Sequence, residues 1–288
     1  MPTPLLDALD VGINRLIART LSGSRRATGV GLGTELAQLR LYEPGDDVRH
    51  IDAAASARTA ALHVRVHVPE RALTTWIVLD LSPSMAFGTA RRLKADVAEG
   101  AALVFTRLGL RRAGSVGVVA FGVDGGPVVL PPRGSKPGLV AVRKLLEEGV
   151  SPDRQQPQEH DALSTALART FKLSRLPGLV VVISDFRDQH GWERPLGALR
   201  MRHAVIAVEV GDPAESVLPA VGRLALVDPE TGELVRVDSS SRRLRERFSA
   251  LERERREAVA AELRRLGVHH IALSTDQDWL VELGRGIG

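Results

Sequence analysis

At 288 residues, the chain has room for one large domain or two small ones, each with an ample core. It has no cysteine, which excludes disulfides, thiolate metal sites and a cysteine nucleophile, and a cytoplasmic location is the expectation. Its 39 basic residues are offset by 35 acidic ones, and the single Tyr and three Trp lie outside the basic clusters. That pattern predicts a solvated, Arg-rich surface and no nucleic-acid partner.

Met1 to Leu21 places Asp7, Asp10, Arg15 and Arg19 among apolar residues, so an amphipathic helix over Leu5–Leu21 is expected rather than a signal peptide. No run of 18 uncharged apolar residues follows, and no membrane span is expected. Two strands are predicted at Ala37–Tyr42 and Leu62–Val68, separated by the polar turn Glu43-Pro44-Gly45-Asp46-Asp47 and a small-residue stretch. From Thr74 the rhythm becomes strand, helix, strand. Strands are expected at Thr75–Leu79, Ser115–Phe121, Val128–Pro131, Leu179–Ile183, Ala204–Val210 and His269–Ser274. Helices are expected at Arg91–Leu108, Lys136–Glu148, Asp161–Leu173, Trp192–Arg200 and Asp278–Leu283. This alternation predicts a three-layer α/β fold with a mostly parallel sheet.

A hairpin over Leu224–Val227 and Leu234–Val237 interrupts the alternation and reads as an insertion packing beside the N-terminal strands in a small β subdomain. A long helix, Ser240–Leu266, follows, with Leu244, Phe248, Leu251, Val259 and Leu263 on one face. The expected organisation is an N-terminal helix and β segment (1–72), a core (73–213), an inserted hairpin (214–239) and the last core elements (240–288).

The chemistry concentrates at strand ends. Ile77-Val78-Leu79-Asp80-Leu81-Ser82-Pro83-Ser84 ends an apolar strand in a carboxylate followed by two hydroxyls at two-residue spacing, which an extended loop points the same way. These are hard oxygen donors of the type preferred by Mg²⁺ or Mn²⁺. Asp185 ends a second apolar strand, and Asp161 opens a helix. Open α/β sheets bind ligands beyond the carboxyl ends of their strands. The candidate metal set is therefore Asp80, Ser82, Ser84, Asp161 and Asp185. A second charged cluster, Pro44, Gly45, Asp46, Asp47, Arg49, Asp52 and Arg58, is expected to be an ion-paired structural clamp. His63 and His67, and His269 and His270, are spaced as structural residues rather than as ligands of one ion.

The Asp-x-Ser-x-Ser run resembles the metal-ion-dependent adhesion site of von Willebrand factor A domains. More closely, the chain resembles the bacterial Domain of Unknown Function 58 family, which has an A-domain-like core. Tyr42 to Asp52, Ser56-Ala57-Arg58-Thr59, Leu62 to Arg65, Glu70-Arg71, Leu79 to Gly88 and Ser184-Asp185-Phe186 carry this likeness, over roughly residues 36 to 210. Ala53 stands where the family has Trp, and Asp161 where its second metal loop has Thr. An Asp there either ligates the ion directly or leaves the site degenerate.

The resemblance implies a von Willebrand A-like, Rossmann-like core and a non-enzymatic, metal-dependent interaction module that partners a MoxR-type AAA+ ATPase or its client. A phosphatase-like metal-dependent hydrolase is the alternative, suggested by Ser184-Asp185-Phe186-Arg187-Asp188. That chemistry requires a second carboxylate two residues after Asp80, where Ser82 stands. A nucleic-acid-binding protein is the third and weaker reading.

Overall fold

The computed structural model describes residues 3–21, 35–44, 46–68, 73–88, 92–123, 125–149, 161–187, 191–227 and 233–287. Helix α1 (Thr3–Leu21) leads to β1 (Glu35–Leu41), α2 (Ala53–Thr59) and β2 (His63–Val68). Then come β3 (Thr74–Asp80), α3 (Lys94–Gly109), β4 (Ser115–Phe121), β5 (Val128–Gly134), α4 (Ser135–Glu148) and α5 (Ala162–Leu173). The chain continues with β6 (Leu179–Ser184), α6 (Glu193–Arg202), β7 (Ala204–Gly211), β8 (Arg223–Val227) and β9 (Leu234–Asp238). It closes with α7 (Arg242–Arg265), β10 (His269–Ser274) and α8 (Trp279–Ile287). Two compact units form: Ser22–Ala72, and Met1–Leu21 with Leu73–Gly288.

The larger unit carries a six-stranded sheet in the order β10-β7-β6-β3-β4-β5. Every pairing is parallel except that of β5 with β4. β3 is central because its run Trp76-Ile77-Val78-Leu79 is apolar on both faces, as is Leu179 to Ile183 of β6. Alternate residues feed two cores. Ile77, Leu79, Val181 and Ile183 pack under α1, α3, α4 and α8, while Trp76, Val78, Val180 and Val182 pack under α5, α6 and α7. This is the expected three-layer α/β architecture. Counted from β3, the strand order is that of a doubly wound sheet, whose order reverses between β3 and β6. The carboxyl ends of these two neighbours are where sheets of this kind bind ligands.

Three expectations of organisation change. Helix α1, expected with the N-terminal β segment, packs on the core through Leu9, Ile13 and Ile17. That stripe needs a broad apolar surface, which the sheet face and α8 provide; Gly12 allows close approach, since a Cβ there would lie 2.7 Å from the Ile287 carbonyl oxygen. The β8–β9 hairpin, expected in one subdomain with β1 and β2, is a two-stranded sheet that belongs to the larger unit. Its expected turn, residues 228–232, lies outside the described residues. In α7, Val259 and Leu263 are buried but Leu251 is exposed, because the inward position at that level belongs to Glu252 and its arginine partners.

In the smaller unit, β1 and β2 pair antiparallel, and an isolated bridge joins Ile51 to Val64. The charged turn is organised differently from the expected pairing of Asp46, Asp47 and Asp52 with Arg49 and Arg58. Asp46 takes a two-pronged ion pair from Arg40, at 2.6 and 2.8 Å, and accepts the Glu43 N–H. The Arg40 guanidinium, chiefly by hydrogen bonding, holds the Asp46 carboxyl below its ordinary pKa. Asp47 accepts from the Arg49 N–H in a short 3₁₀ turn, and Asp52 caps α2 through the Ala55 N–H. Arg49 and Arg58 are exposed, as is Pro44; Gly45 lies outside the described residues.

Candidate metal centre

The first half of the centre follows from the end of β3. Burial of Trp76 to Leu79 fixes the strand, so Asp80 arrives at its carboxyl end as a buried carboxylate. The chain then turns: the Ser82 N–H donates to Asp80 Oδ1 at 2.9 Å, and Pro83 opens a 3₁₀ turn to Ala86. Met85, fully buried, pins this turn to the core. The hydroxyls of Ser82 and Ser84 lie 3.0 Å apart, but a 3₁₀ turn brings them together rather than the extended loop that the spacing suggested.

The loop after β4 supports this turn from beside it. The Leu81 N–H donates to the Phe121 carbonyl, and Gly122 follows with φ +79°. A Cβ on Gly122 would lie 2.4 Å from the Ser82 backbone nitrogen. Gly122→Ala is expected to cost about 2 kcal/mol or more, from left-handed strain plus a backbone clash, and to displace both serines. Urea unfolding with Mn²⁺ titration would check this; unchanged stability and binding would show that the Ser82 turn does not depend on this contact.

The second half comes from β6. The Ser184 hydroxyl donates to Asp80 Oδ2 at 2.6 Å and accepts from the Phe186 N–H. Phe186 has φ +51°, a conformation that costs a non-glycine residue about 1–2 kcal/mol. Burial of its ring, edge-on to Trp192 at 5.5 Å between centroids, offsets that cost. The bend presents Asp185, whose Oδ1 accepts the Arg187 N–H and whose carboxylate also takes a hydrogen bond from Ser84. Asp80, Ser82, Ser84 and Asp185 therefore form one buried, hydrogen-bonded group at the point where strand order reverses.

Lys94, at the start of α3, was not anticipated as part of the site. Its ammonium is fully buried and donates to Asp185 Oδ2 at 2.7 Å and to Glu215 Oε1 at 2.6 Å. Arg187 also reaches Glu215, at 3.2 Å, and Glu252 on α7. Glu252 in turn holds Arg255 and Arg256, and Arg255 lies 3.8 Å from Glu209, which bonds His270. A signal for Lys94 existed: it shares a helical face with Val97, Ala98, Ala101 and Phe105, where a charge must find a buried partner. Glu215 carried no comparable signal.

This environment pushes the two central carboxylates apart. Burial raises Asp185, but the ammonium of Lys94, helped by Arg187 and Ser84, more than offsets it and holds the carboxyl below its usual value. Burial, and then the charge of Asp185, push Asp80 up to about 7, against hydrogen bonds from Ser184 and Ser82. Two buried carboxylates sharing a site cannot both ionise cheaply without a counter-charge. A divalent cation provides one. The donors present, two carboxylates and two hydroxyls, fit a hard ion such as Mg²⁺ or Mn²⁺; Asp80, Ser82, Ser84 and Asp185 would hold it.

Asp161, the fifth expected member, is exposed at the N-terminus of α5, where its side chain makes no cap hydrogen bond. Because α5 feeds β6, Asp161 stands at the same edge of the sheet, but it is not drawn into the buried group. Among the described residues, no three His, Cys, Asp or Glu side chains gather into a metal-holding cluster, so the hydroxyls are essential to this donor set. Asp188 of the phosphatase-like motif lies outside the described residues. His63 and His269 bond backbone carbonyls, as structural residues do.

A family model described as "Protein of unknown function DUF58" matches residues 38–258. An uncharacterized protein of Mycobacterium tuberculosis is 34% identical over 280 residues, covering 97% of this chain and 87% of the relative. An uncharacterized protein of Mycobacterium avium is 38% identical over 123 residues, covering 43% of this chain and 72% of that protein. Among solved structures, the conserved hypothetical protein BatB from Bacteroides thetaiotaomicron aligns with a TM-score of 0.49 at 17% identity, over 75% of this chain and 97% of BatB. A von Willebrand factor type A protein from Catenulispora acidiphila aligns with a TM-score of 0.40 at 12% identity, over 75% of this chain and 43% of that one. With the family model spanning most of the chain, and a relative sharing a third of its residues across nearly all of it, this protein belongs to the DUF58 family.

Proposed function

We propose that this protein is a non-enzymatic interaction module whose partner docks through a divalent cation held by Asp80, Ser82, Ser84 and Asp185. The observation that carries the reading is the convergence of these four residues in one oxygen-lined group at the crevice of a doubly wound sheet. An ion held mainly by hydroxyls and partly neutralised carboxylates keeps surplus positive charge and attracts a carboxylate from another protein. Phe87 and Leu93, exposed on either side of the loop leading into α3, add apolar contact area beside such a dock. The partner we favour is a MoxR-type AAA+ ATPase, in keeping with the family resemblance of the Asp80 and Tyr42–Asp52 motifs. The phosphatase alternative requires a carboxylate where Ser82 instead bonds Ser84. Among the described residues no helix is long and apolar enough to cross a membrane.

The test is co-purification of the chain with a MoxR-type ATPase from the same genome, in Mg²⁺ and in chelator. Retention in Mg²⁺, release by chelator, and loss in Asp80→Ala are expected. Equal retention in all three samples would remove the metal from the mechanism. No retention in any of them would remove the partner. Calorimetry with Mn²⁺ on the wild type and Asp80→Ala reads metal binding separately.

A further inference from the structure

Lys94 is a charged residue where a metal-binding crevice should have little use for one. Its side chain has no exposed surface, and its ammonium lies within 2.7 Å of a carboxylate from each of two loops, Asp185 after β6 and Glu215 after β7. The backbone there is built to deliver it. The Lys94 N–H is anchored by the Phe87 carbonyl, and the Leu93 N–H by Asp96, which starts α3 at this residue. Glu215 is likewise held, with Oε2 accepting the Asp212 N–H while Oε1 faces Lys94 and Arg187. The carboxylates of Asp185 and Glu215 thus face the cations of Lys94 and Arg187, with Arg256 a further 3.9 Å from Glu215, so no negative surplus remains around Asp185.

We propose that Lys94 is a tethered counter-cation, which keeps the crevice assembled without metal and limits its affinity for divalent ions. The proposal rests on the metal reading of Asp80, Ser82, Ser84 and Asp185. With Asp185 committed to the ammonium, an entering ion meets a ligand that is already neutralised. Glu215 acts through charge: it draws part of the ammonium's field away from Asp185. A bound ion then leaves the group net positive, which suits a site that must recruit an outside carboxylate rather than retain its ion at any concentration. A preassembled group also spares the protein from ordering Asp185 at the moment of binding.

The experiment measures the Mn²⁺ dissociation constant by calorimetry or electron paramagnetic resonance for the wild type, Lys94→Gln and Glu215→Gln. Thermal unfolding is followed in chelator and in excess Mn²⁺. Lys94→Gln removes a unit of positive charge in contact with a ligand and is expected to bind Mn²⁺ about tenfold more tightly or better. It should also melt lower than the wild type in chelator and gain more from Mn²⁺. Glu215→Gln should bind severalfold more weakly, since Lys94 then serves Asp185 alone. Lys94→Gln binding no more tightly than the wild type overturns the proposal. If Lys94→Gln does not fold, Glu215→Gln decides, and anything but weakened binding overturns it. A wild type that binds no Mn²⁺ beside a Lys94→Gln that does would sink the metal reading alone and leave Lys94 as the cause. Binding by the wild type with no gain in Lys94→Gln would sink only the proposal.

Discussion

Replacing Asp185 with alanine is expected to cost about 3 kcal/mol of stability and to abolish Mn²⁺ binding in the same variant. The size follows from what the carboxylate satisfies. It pairs with a fully buried ammonium at 2.7 Å, accepts the Arg187 N–H at 3.1 Å, and takes a further hydrogen bond from Ser84. Removing one member of a buried ion pair leaves the other uncompensated, and that penalty exceeds the value of the pair itself. Glu215 remains beside Lys94 at 2.6 Å, so the loss should fall at the lower end of the range for broken buried pairs. Urea unfolding at pH 7 in chelator measures it. A loss below about 1 kcal/mol would show that Glu215 alone satisfies the ammonium. The double variant Asp185→Ala with Lys94→Met should recover part of the loss, because no orphaned charge then remains.

Asp80→Asn is expected to act in opposite directions on stability and on metal binding. Burial and the nearby charge of Asp185 raise the Asp80 carboxyl to about 7, well above its value in an unfolded chain. Between roughly pH 4 and pH 7 the folded protein therefore holds a proton that the unfolded chain has released. Folding takes up that proton, so the Asp80 contribution to the stability of the metal-free protein falls as pH rises through this window and levels off above it, while His203, held down at about 4 by burial, contributes an opposite slope that wild type and variant share. The integrated effect is of order 2–4 kcal/mol. The asparagine carries no titrating proton, so the variant should lack this slope and be more stable than the wild type at pH 8 in chelator. Its Mn²⁺ binding should weaken at least about tenfold, since a charged ligand becomes neutral. Saturating Mg²⁺ should flatten the wild-type slope by taking the proton's place. Urea titrations at pH 5 and pH 8, with and without Mg²⁺, read both effects. A wild type whose metal-free stability rises over this window relative to Asp80→Asn would reverse the assigned direction of the Asp80 shift.

These two carboxylates occupy equivalent positions in the sequence yet play unlike parts. Each ends an apolar strand, and each was legible as a candidate ligand from that placement alone. The difference in charge state comes from Lys94, 91 positions before Asp185, which reaches only one of them. The pattern that marks a strand-end carboxylate carries no information about which distant cation will face it. The same holds in the Pro44–Asp52 turn. The density of charge was visible, but the partner of Asp46 is Arg40 on β1 rather than a neighbour in the turn, because the hydrogen bonds between Glu43 and Asp46 fold the turn back onto the end of that strand.

Glycine 122 and Phe186 show the limit from another side. Both take left-handed backbone angles beside the site, and both were plain in the chain only as a residue after a strand and as one letter of a motif. Their roles depend on close approach: Gly122 to the Ser82 backbone and the Phe186 ring to Trp192. The first contact joins segments about forty residues apart, and the second, though short in sequence, depends on both rings being buried by the surrounding core.

Local periodicity by itself determined the strands, most helices, the three-layer α/β class and the placement of Asp80 at a strand end, because these depend on burial patterns and on spacing within a few residues. Tertiary structure decided the assignment of α1 to the core, the grouping of the β8–β9 ribbon with the larger unit, the exposure of Asp161 and the placement of Lys94 within the buried group. The physical reason is common to α1, the ribbon and Lys94. A helix stripe, a ribbon edge or a buried charge must be satisfied by whatever surface folding brings to it, and that partner lies elsewhere in the chain.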